Sequence, residues 1–247
     1  MTGAGDGERR GPAPGDASGG PTSPGSPGAP GGPPGGADIA GLTVRVGNDE
    51  DADVAARLHA EQITEGFLSF LGPRFLRRLY RRISRSPDSF LLIADEGGTV
   101  VGYVAGSADV GRLYRSFVVR DGLPAALGAA GRIVRSWRRV LETFRHGSSG
   151  GVGTGRGPEL LAIAVDPDQK GRGVGRALVT SFLAEVARRG HDAAYVVVGA
   201  DNAPAVALYQ RAGFVTVGRF ELHPGVTSCL MQFDRAGHGP GGAGGGA

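Results

Sequence analysis

Residues 160–178 read LLAIAVDPDQKGRGVGRAL, an apolar run that ends at a glycine-rich turn. The short continuous run predicts a buried strand over Leu160–Val165, and the helical spacing of apolar residues after the turn predicts a helix over Gly173–Arg189. Glycines let main-chain N–H groups approach a ligand closely. The start of a helix adds unpaired N–H donors and a partial positive charge. This strand–turn–helix segment therefore predicts a binding site for phosphate groups.

Two common kinds of phosphate loop fit the turn poorly. A Walker A loop requires Ser or Thr after Gly-Lys, whereas Gly175 is followed by Arg176 and Ala177. A Rossmann loop that begins at Gly171 requires glycine or alanine where Arg176 stands. Asp192 does lie near the distance at which that loop expects an acidic residue, but it precedes the next apolar strand instead of ending it. A third kind of loop fits better.

Two motifs together resemble the signatures of the GNAT superfamily of N-acetyltransferases. The first, KGRGVG at 170–175, resembles the loop that holds the pyrophosphate of acyl-CoA in that family. The family's loop usually begins with Gln or Arg, and Lys170 keeps the charge but loses the planar group. The second motif, NAPAVALYQRAGF at 202–214, follows after one predicted strand. The resemblance extends over Leu42–Phe233 and is strongest from Glu159 to Phe214.

The resemblance implies a fold class and a domain organisation. The expected fold is α/β: a twisted mixed sheet that is splayed into a V-shaped cleft, with flanking helices. The domain is expected to cover 39–234, with a helical insertion at about 107–158 that contains a basic amphipathic helix over 124–145. The segments 1–38 and 235–247 are rich in Gly and contain few large apolar residues, so we predict that both are disordered tails.

The resemblance also implies that acetyl-CoA is bound largely by main-chain groups. Ile163 and Val165 are expected to pair with the pantetheine arm as if it were an added strand. A bulge near Val165 would turn an N–H group toward the thioester oxygen. Asn202 is expected to contact the pantetheine or to cap the helix that follows it. The expected acetyl-CoA contacts are Ile163, Val165, Lys170, Gly171, Arg172, Gly173, Val174, Gly175, Arg176, Asn202 and Tyr209.

The same resemblance implies candidate catalytic residues. Tyr209 occupies the family's general-acid position and would protonate the departing CoA thiolate; a packed core aromatic is the alternative. Glu159 matches the catalytic glutamate of the histone-acetyltransferase branch and would accept the amine proton, although a strand-end glutamate without a catalytic role has the same pattern. Glu65 is a second candidate base, beside a connector over Gly66–Gly72 that resembles the acceptor-side loop of one bacterial branch. Val197 stands where another branch has its base, and a mechanism without a dedicated base is the third alternative.

Composition narrows the remaining classes of function. The 247 residues carry a formal net charge of +3, and Lys170 is the only lysine. Such dependence on arginine suggests a GC-rich bacterial genome, and the nearly balanced acidic residues make nucleic-acid binding unlikely. The single cysteine, Cys229, excludes an internal disulfide, and His59, His191 and His223 lack metal-ligand spacing, so no metal is expected. We predict a cytoplasmic protein, because no apolar run approaches the ~18 residues of a membrane span and no secretory signal is present.

These observations predict an N-acetyltransferase that transfers an acetyl group from acetyl-CoA directly to a primary amine. The acceptor stays open among a protein N-terminus, a lysine, a small amine and an amino sugar. Two alternatives remain: a non-catalytic CoA-binding sensor or scaffold, and a protein that binds nucleic acid or anionic lipid. Arginines in the predicted helix that begins at Pro73 are interpreted as a solvated face. The helix at 124–145 is interpreted as a cover for the acceptor side or as a membrane-surface element.

Overall fold

The structure is a computed structural model that describes residues 41–63, 72–121, 156–223 and 226–238. Glu65, nearly all of the connector over Gly66–Gly72 and the predicted basic helix at 124–145 lie outside the described residues. The same holds for both predicted tails, except that residues Ala236–His238 form a single 3-10 turn. None of the helices in the described ranges is long and apolar enough to cross a bilayer.

Seven strands of the described residues form one mixed sheet. The strands are β1 (Leu42–Val46), β2 (Ser89–Glu96), β3 (Thr99–Ser107), β4 (Glu159–Val165), β5 (Ala193–Gly199), β6 (Val215–His223) and β7 (Val226–Asp234). Their order across the sheet is β1-β2-β3-β4-β5-β7-β6. Every neighbouring pair is antiparallel except β4 and β5, which are parallel.

The helices begin where the local sequence supplies a start signal. Asn48 caps the first helix through a capping box with Asp51, and Pro73 occupies the first turn of the second. Gly173, in the left-handed conformation, immediately precedes the fourth. The helices are α1 (Asp49–Gln62), α2 (Pro73–Arg85), α3 (110–121), α4 (Val174–Arg188) and α5 (Ala203–Arg211).

The sheet carries a separate apolar core on each face. On one face, α4 and α5 pack through residues such as Leu178, Phe182 and Tyr209. On the other face, α1, α2 and α3 pack through residues such as Leu58 and Leu76. We call the face covered by α4 and α5 the donor face and the face covered by α1, α2 and α3 the acceptor face. Burial of apolar side chains on both faces of the sheet is the arrangement expected for an α/β domain.

The sheet is split between β4 and β5. The two strands pair only at Glu159 with Tyr195 and at Leu160 with Val196, and no further pairing joins them toward Val165. On its other side, β4 pairs with β3 along its whole length. The predicted mixed sheet with a V-shaped opening is therefore confirmed, and the opening lies beside the second half of β4.

One prediction about local structure was wrong. The bulge expected near Val165 lies at the opposite end of β4, where the register shifts between Ala105 and Gly106 on β3. At this position β3 has Gly106, where a Cβ would lie 2.5 Å from the Phe90 ring and 2.7 Å from the Phe182 ring, so two aromatic rings pack against bare backbone beside the bulge.

The arginines of α2 form a largely exposed face, as predicted, with Arg82 as the exception. The side chain of Arg82 is only 14% exposed, and its Nε donates to Asp121 at 2.7 Å. Arg81 pairs with Asp53, and Arg85 pairs with Asp49. The acidic partners lie on α1 and α3, so charge pairing between neighbouring helices, which the sequence of α2 alone does not reveal, determines where these arginines point.

Candidate active site

The glycine-rich turn ends in a helix start that offers main-chain donors. Gly171 and Gly173 have φ angles of 79° and 88°, in the left-handed region that glycine adopts without strain. Among the described residues, no side chain caps α4 at Gly173. The first N–H groups of α4 therefore have no partner within the helix and point out from its start. A Cβ on Gly171 would meet no atom within 4 Å, so the space above the turn is open. This donor-rich end fits a phosphate group.

Among the described residues, nothing pairs with the main-chain edge that the second half of β4 presents to the opening in the sheet. The Asp166 N–H donates to the Val101 carbonyl at 2.9 Å, and hydrogen-bonded pairs alternate along an antiparallel ladder. Ala162 and Ala164 therefore point their main-chain groups toward β3. Ile163 and Val165 point theirs the other way, toward β5, beyond the last β4–β5 pair. An extended ligand can pair with this edge as a strand would.

Tyr209 lies on the donor face, in the same apolar cluster as Ile163 and Val165. It is 4% exposed, and its ring packs edge-on against Phe214 with centroids 5.7 Å apart. Burial raises the pKa of the Tyr209 phenol well above its ordinary value. The phenol is therefore protonated at neutral pH, as a proton donor must be. The packed, buried position of Tyr209 is therefore compatible with a role as a proton donor.

Asn202 caps α5. Its side-chain oxygen accepts a hydrogen bond from the Ala205 N–H at 3.2 Å, which is the capping alternative considered from the sequence. Gly175 faces α5 rather than the ligand space, because a Cβ there would lie 3.5 Å from Leu208. A small residue at this position therefore allows α4 and α5 to lie close together.

Glu159 begins β4 at the closed end of the split. It is 7% exposed and lies between Ser107 on β3 and Tyr195 on β5. Burial, together with the charge of Glu159, raises the pKa of Tyr114 on α3 to about 12. Glu159 is therefore close enough to the acceptor face to act electrostatically on a phenol there. Tyr114 was missed in the sequence, where nothing marks it as a neighbour of Glu159.

The charged side chains of the turn contact remote segments. Lys170 Nζ lies 3.4 Å from the Gln62 side-chain oxygen at the end of α1. Arg172 forms an ion pair with Glu96 at the end of β2, at 2.6 Å. Both partners were missed from the sequence, because contacts over such separations leave no local pattern. Val174 is buried in the donor-face core, and Arg176 is exposed in the first turn of α4.

A buried hydrogen-bonded cluster lies in the acceptor-face core. His59 Nδ1 lies 2.7 Å from the Tyr80 hydroxyl and 3.2 Å from the Tyr103 hydroxyl, and the two hydroxyls are 2.7 Å apart. Burial lowers the pKa of His59 to about 4, so the imidazole is neutral at pH 7. This agrees with the structural role predicted for His59. Within the described residues, no group of three His, Cys, Asp or Glu side chains is placed to hold a metal ion.

A family model described as the acetyltransferase (GNAT) family matches residues 58–214. This range is more than half of the chain and contains the open edge of β4, the glycine-rich turn and Tyr209. The chain belongs to the GNAT acetyltransferase family.

Curated relatives match shorter stretches of the chain. A mycothiol acetyltransferase from Saccharomonospora viridis is 38% identical over 97 residues, which are 39% of this chain and 31% of that protein. A [ribosomal protein bS18]-alanine N-acetyltransferase from Escherichia coli is 46% identical over 55 residues, 22% of this chain and 37% of that protein. The matches therefore span less than half the length of these relatives.

Solved structures share the fold of this GNAT chain. One described as a GNAT-family acetyltransferase, from Desulfovibrio desulfuricans, has a TM-score of 0.54 and 16% identity, covering 78% of this chain and 99% of that one. Another, described as an acetyltransferase from Salmonella typhimurium with its cofactor acetyl-CoA, has a TM-score of 0.51 and 17% identity, covering 78% and 94%. At these identities the likeness concerns the fold.

Proposed function

We propose that this GNAT chain transfers an acetyl group from acetyl-CoA directly to a primary amine. The observation that carries the proposal is the unpaired edge of β4 ending beside an uncapped helix start. The edge suits the extended, amide-containing pantetheine arm, and the helix start suits the diphosphate. The two lie in series along the chain, as they must to hold one long ligand.

Donor binding is assigned mainly to main-chain groups. Ile163 and Val165 pair with the pantetheine, and N–H groups from Gly171 to Arg176 hold the diphosphate. Lys170 adds positive charge at the entrance to the turn. A main-chain N–H of β4 also polarises the thioester carbonyl, which is the role expected of a preorganised donor in acyl transfer.

Tyr209 is assigned the transfer of a proton to the departing thiolate. Its raised pKa keeps the proton on the phenol until sulfur becomes basic, and its burial excludes water that would compete for the hydrogen bond. Because a free thiol has a pKa of about 8.5, a phenol with a raised pKa is the weaker acid. Burial disfavours the departing thiolate as well as the phenolate, so the Tyr209 proton can pass to sulfur along a hydrogen bond that strengthens as negative charge builds there.

Glu159 is assigned to the amine side of the reaction. The attacking amine must be neutral, and an α-amine has a pKa of about 7.7–8.0, against about 10.4 for a lysine side chain. Glu159 lies at the closed end of the split, next to the acceptor face, where a carboxylate can take the amine proton directly or through water. An α-amine acceptor needs the least help from such a base. The reaction is placed in the cytoplasm of a bacterium, in keeping with the bacterial sources of the relatives.

The acceptor is tested by measuring CoA thiol release against a panel of amines. The panel contains a peptide with N-terminal alanine, an Nα-blocked lysine, a polyamine and an amino sugar, with Tyr209→Phe protein as the control. We expect release with at least one amine, and at a much lower rate in the variant. CoA binding without thiol release would favour the sensor or scaffold alternative. Thermal stabilisation by CoA detects such binding, because a ligand that binds the folded protein stabilises it even when no reaction occurs. Salt-sensitive binding of DNA without CoA binding would favour the anionic-surface alternative.

A further inference from the structure

The ion pair between Arg172 and Glu96 links the glycine-rich turn to the β2–β3 hairpin. Arg172 lies between Gly171 and Gly173, the two left-handed glycines of the turn. Its guanidinium contacts the carboxylate in a fork: Nη1 to Oε2 at 3.0 Å and Nη2 to Oε1 at 2.6 Å. The Gln169 side-chain oxygen also accepts from Arg172. The Arg172 guanidinium is therefore already paired with a carboxylate at the rim of the proposed donor site.

The pair is arranged so that its anion can be exchanged. The Arg172 side chain is 42% exposed and that of Glu96 is 27% exposed, so water reaches both groups. Exposed ion pairs contribute little to stability because solvent screens them. Arg172 holds the pKa of Glu96 below its usual value, so the carboxylate is fully charged at neutral pH. A phosphate offers the guanidinium the same forked geometry and more charge.

The Arg172–Glu96 ion pair lies next to the proposed diphosphate site. Arg172 directly precedes Gly173, the residue before α4, and the first N–H groups of that helix are the proposed diphosphate donors. A flexible arginine side chain on the neighbouring residue reaches the same ligand from the outer side. The only other basic side chain in the turn, Lys170, contacts Gln62 at 3.4 Å. Glu96, in contrast, places a negative charge beside a site for a polyanion.

We propose that Arg172 exchanges Glu96 for a phosphate group of CoA, and that Glu96 weakens donor binding by competing for this arginine. The inference rests on the proposed function, because it requires that the turn binds CoA. Glu96, which lies outside both family motifs, then affects the affinity for CoA. The Arg172 side chain has a role separate from that of its main chain.

The test measures the dissociation constant of CoA at low salt for four proteins: unaltered, Glu96→Gln, Arg172→Gln and the double variant. Glu96→Gln is expected to bind about threefold more tightly, and Arg172→Gln about fivefold more weakly, within the range of single exposed charge contacts. In the Arg172→Gln protein, adding Glu96→Gln should lower the dissociation constant of CoA much less than it does in the unaltered protein. Added salt should shrink each difference. Arg85→Gln, which breaks another exposed arginine–carboxylate pair, is the matched control and should leave the constant unchanged.

Each outcome decides the proposal. Weaker or unchanged binding by Glu96→Gln, or an equal gain with and without Arg172, overturns it. If the unaltered protein fails to bind CoA, the proposed function itself is wrong; if it binds and only the Glu96 effect is missing, this inference alone fails. Repeating the series with 3′-dephospho-CoA identifies the phosphate. An Arg172→Gln effect that vanishes assigns the 3′-phosphate, and one that persists assigns the diphosphate; either result agrees with the exchange.

Discussion

The donor face and the acceptor face of the sheet place their polar groups differently. On the donor side, the proposed contacts are main-chain groups of one continuous stretch, from the edge of β4 to the first turn of α4. On the acceptor face, the polar groups are buried side chains from separate elements, such as His59, Tyr80 and Tyr103. The first arrangement depends on backbone conformation and tolerates side-chain change, whereas the second depends on the identity of each side chain. This difference explains why the donor is easier to assign than the acceptor.

The largest expected effect compares two buried phenols, one on each face. Tyr209→Phe removes the proposed proton donor and should lower kcat about 100-fold while leaving CoA affinity nearly unchanged. Steady-state kinetics and a CoA binding isotherm measure the two quantities. Tyr80→Phe is the matched change on the acceptor face and should leave kcat within a few-fold. Equal losses of kcat in the two variants would contradict the assignment of proton donation to Tyr209 on the donor face.

A second prediction concerns pH and the acceptor face alone. Burial lowers the pKa of His59 from 6.5 to about 4, so the folded protein keeps this ring neutral where the unfolded chain takes up a proton. Stability from His59 is therefore fully present above pH 6.5 and is lost as the pH falls toward 4. Between pH 7 and pH 5 the loss should be about 2 kcal/mol in the free energy of unfolding.

Urea unfolding at both pH values measures this loss, with His59→Gln and His191→Gln as comparisons. The excess loss should vanish in His59→Gln and persist in His191→Gln. NMR of the His59 ring checks the same point without a variant. A ring that titrates near pH 6.5 in the folded protein would show that the cluster does not exclude the proton.

A third prediction tests the dependence of the donor side on backbone conformation. Gly173→Ala places a Cβ on a residue with φ of 88°, which costs about 1–2 kcal/mol or shifts the start of α4. The dissociation constant of CoA should rise about tenfold. Gly190→Ala is the control, because Gly190 has φ of 84° just beyond the other end of α4 and open space around it. If both variants weaken CoA binding equally, general strain in α4 and not the turn is responsible.

The smallest expected effect is on the stability provided by the buried cluster. Tyr80→Phe removes a hydroxyl that lies 2.7 Å from both His59 Nδ1 and the Tyr103 hydroxyl. The free energy of unfolding should fall by about 1–2 kcal/mol, because buried polar atoms lose a partner. Tyr209→Phe should cost less, so thermal or urea unfolding of the two variants should rank in the opposite order to their kcat values. The same order in both measurements would remove the contrast between the faces.

The same contrast explains what was predictable from the sequence. The strand, turn and helix at 160–178 and the residues of the second motif are close in sequence, so their resemblance to the family's motifs was enough to predict the fold and to propose the donor site. The bulge was misplaced because its position depends on the register between β3 and β4, which the sequence of β4 alone does not reveal. Glu96, Gln62 and Tyr114 were missed because each meets its partner only through the folded topology. The acceptor stays unassigned for the same reason.

The most direct test of the proposed donor site follows backbone amide signals while CoA is added to 15N-labelled protein. We expect the largest shifts at the amides of Ile163, Val165 and Gly173–Arg176, with small shifts at the buried acceptor-face cluster. Shifts centred on the acceptor face, or none at millimolar CoA, would contradict the assignment of the β4 edge and the α4 start as the donor site.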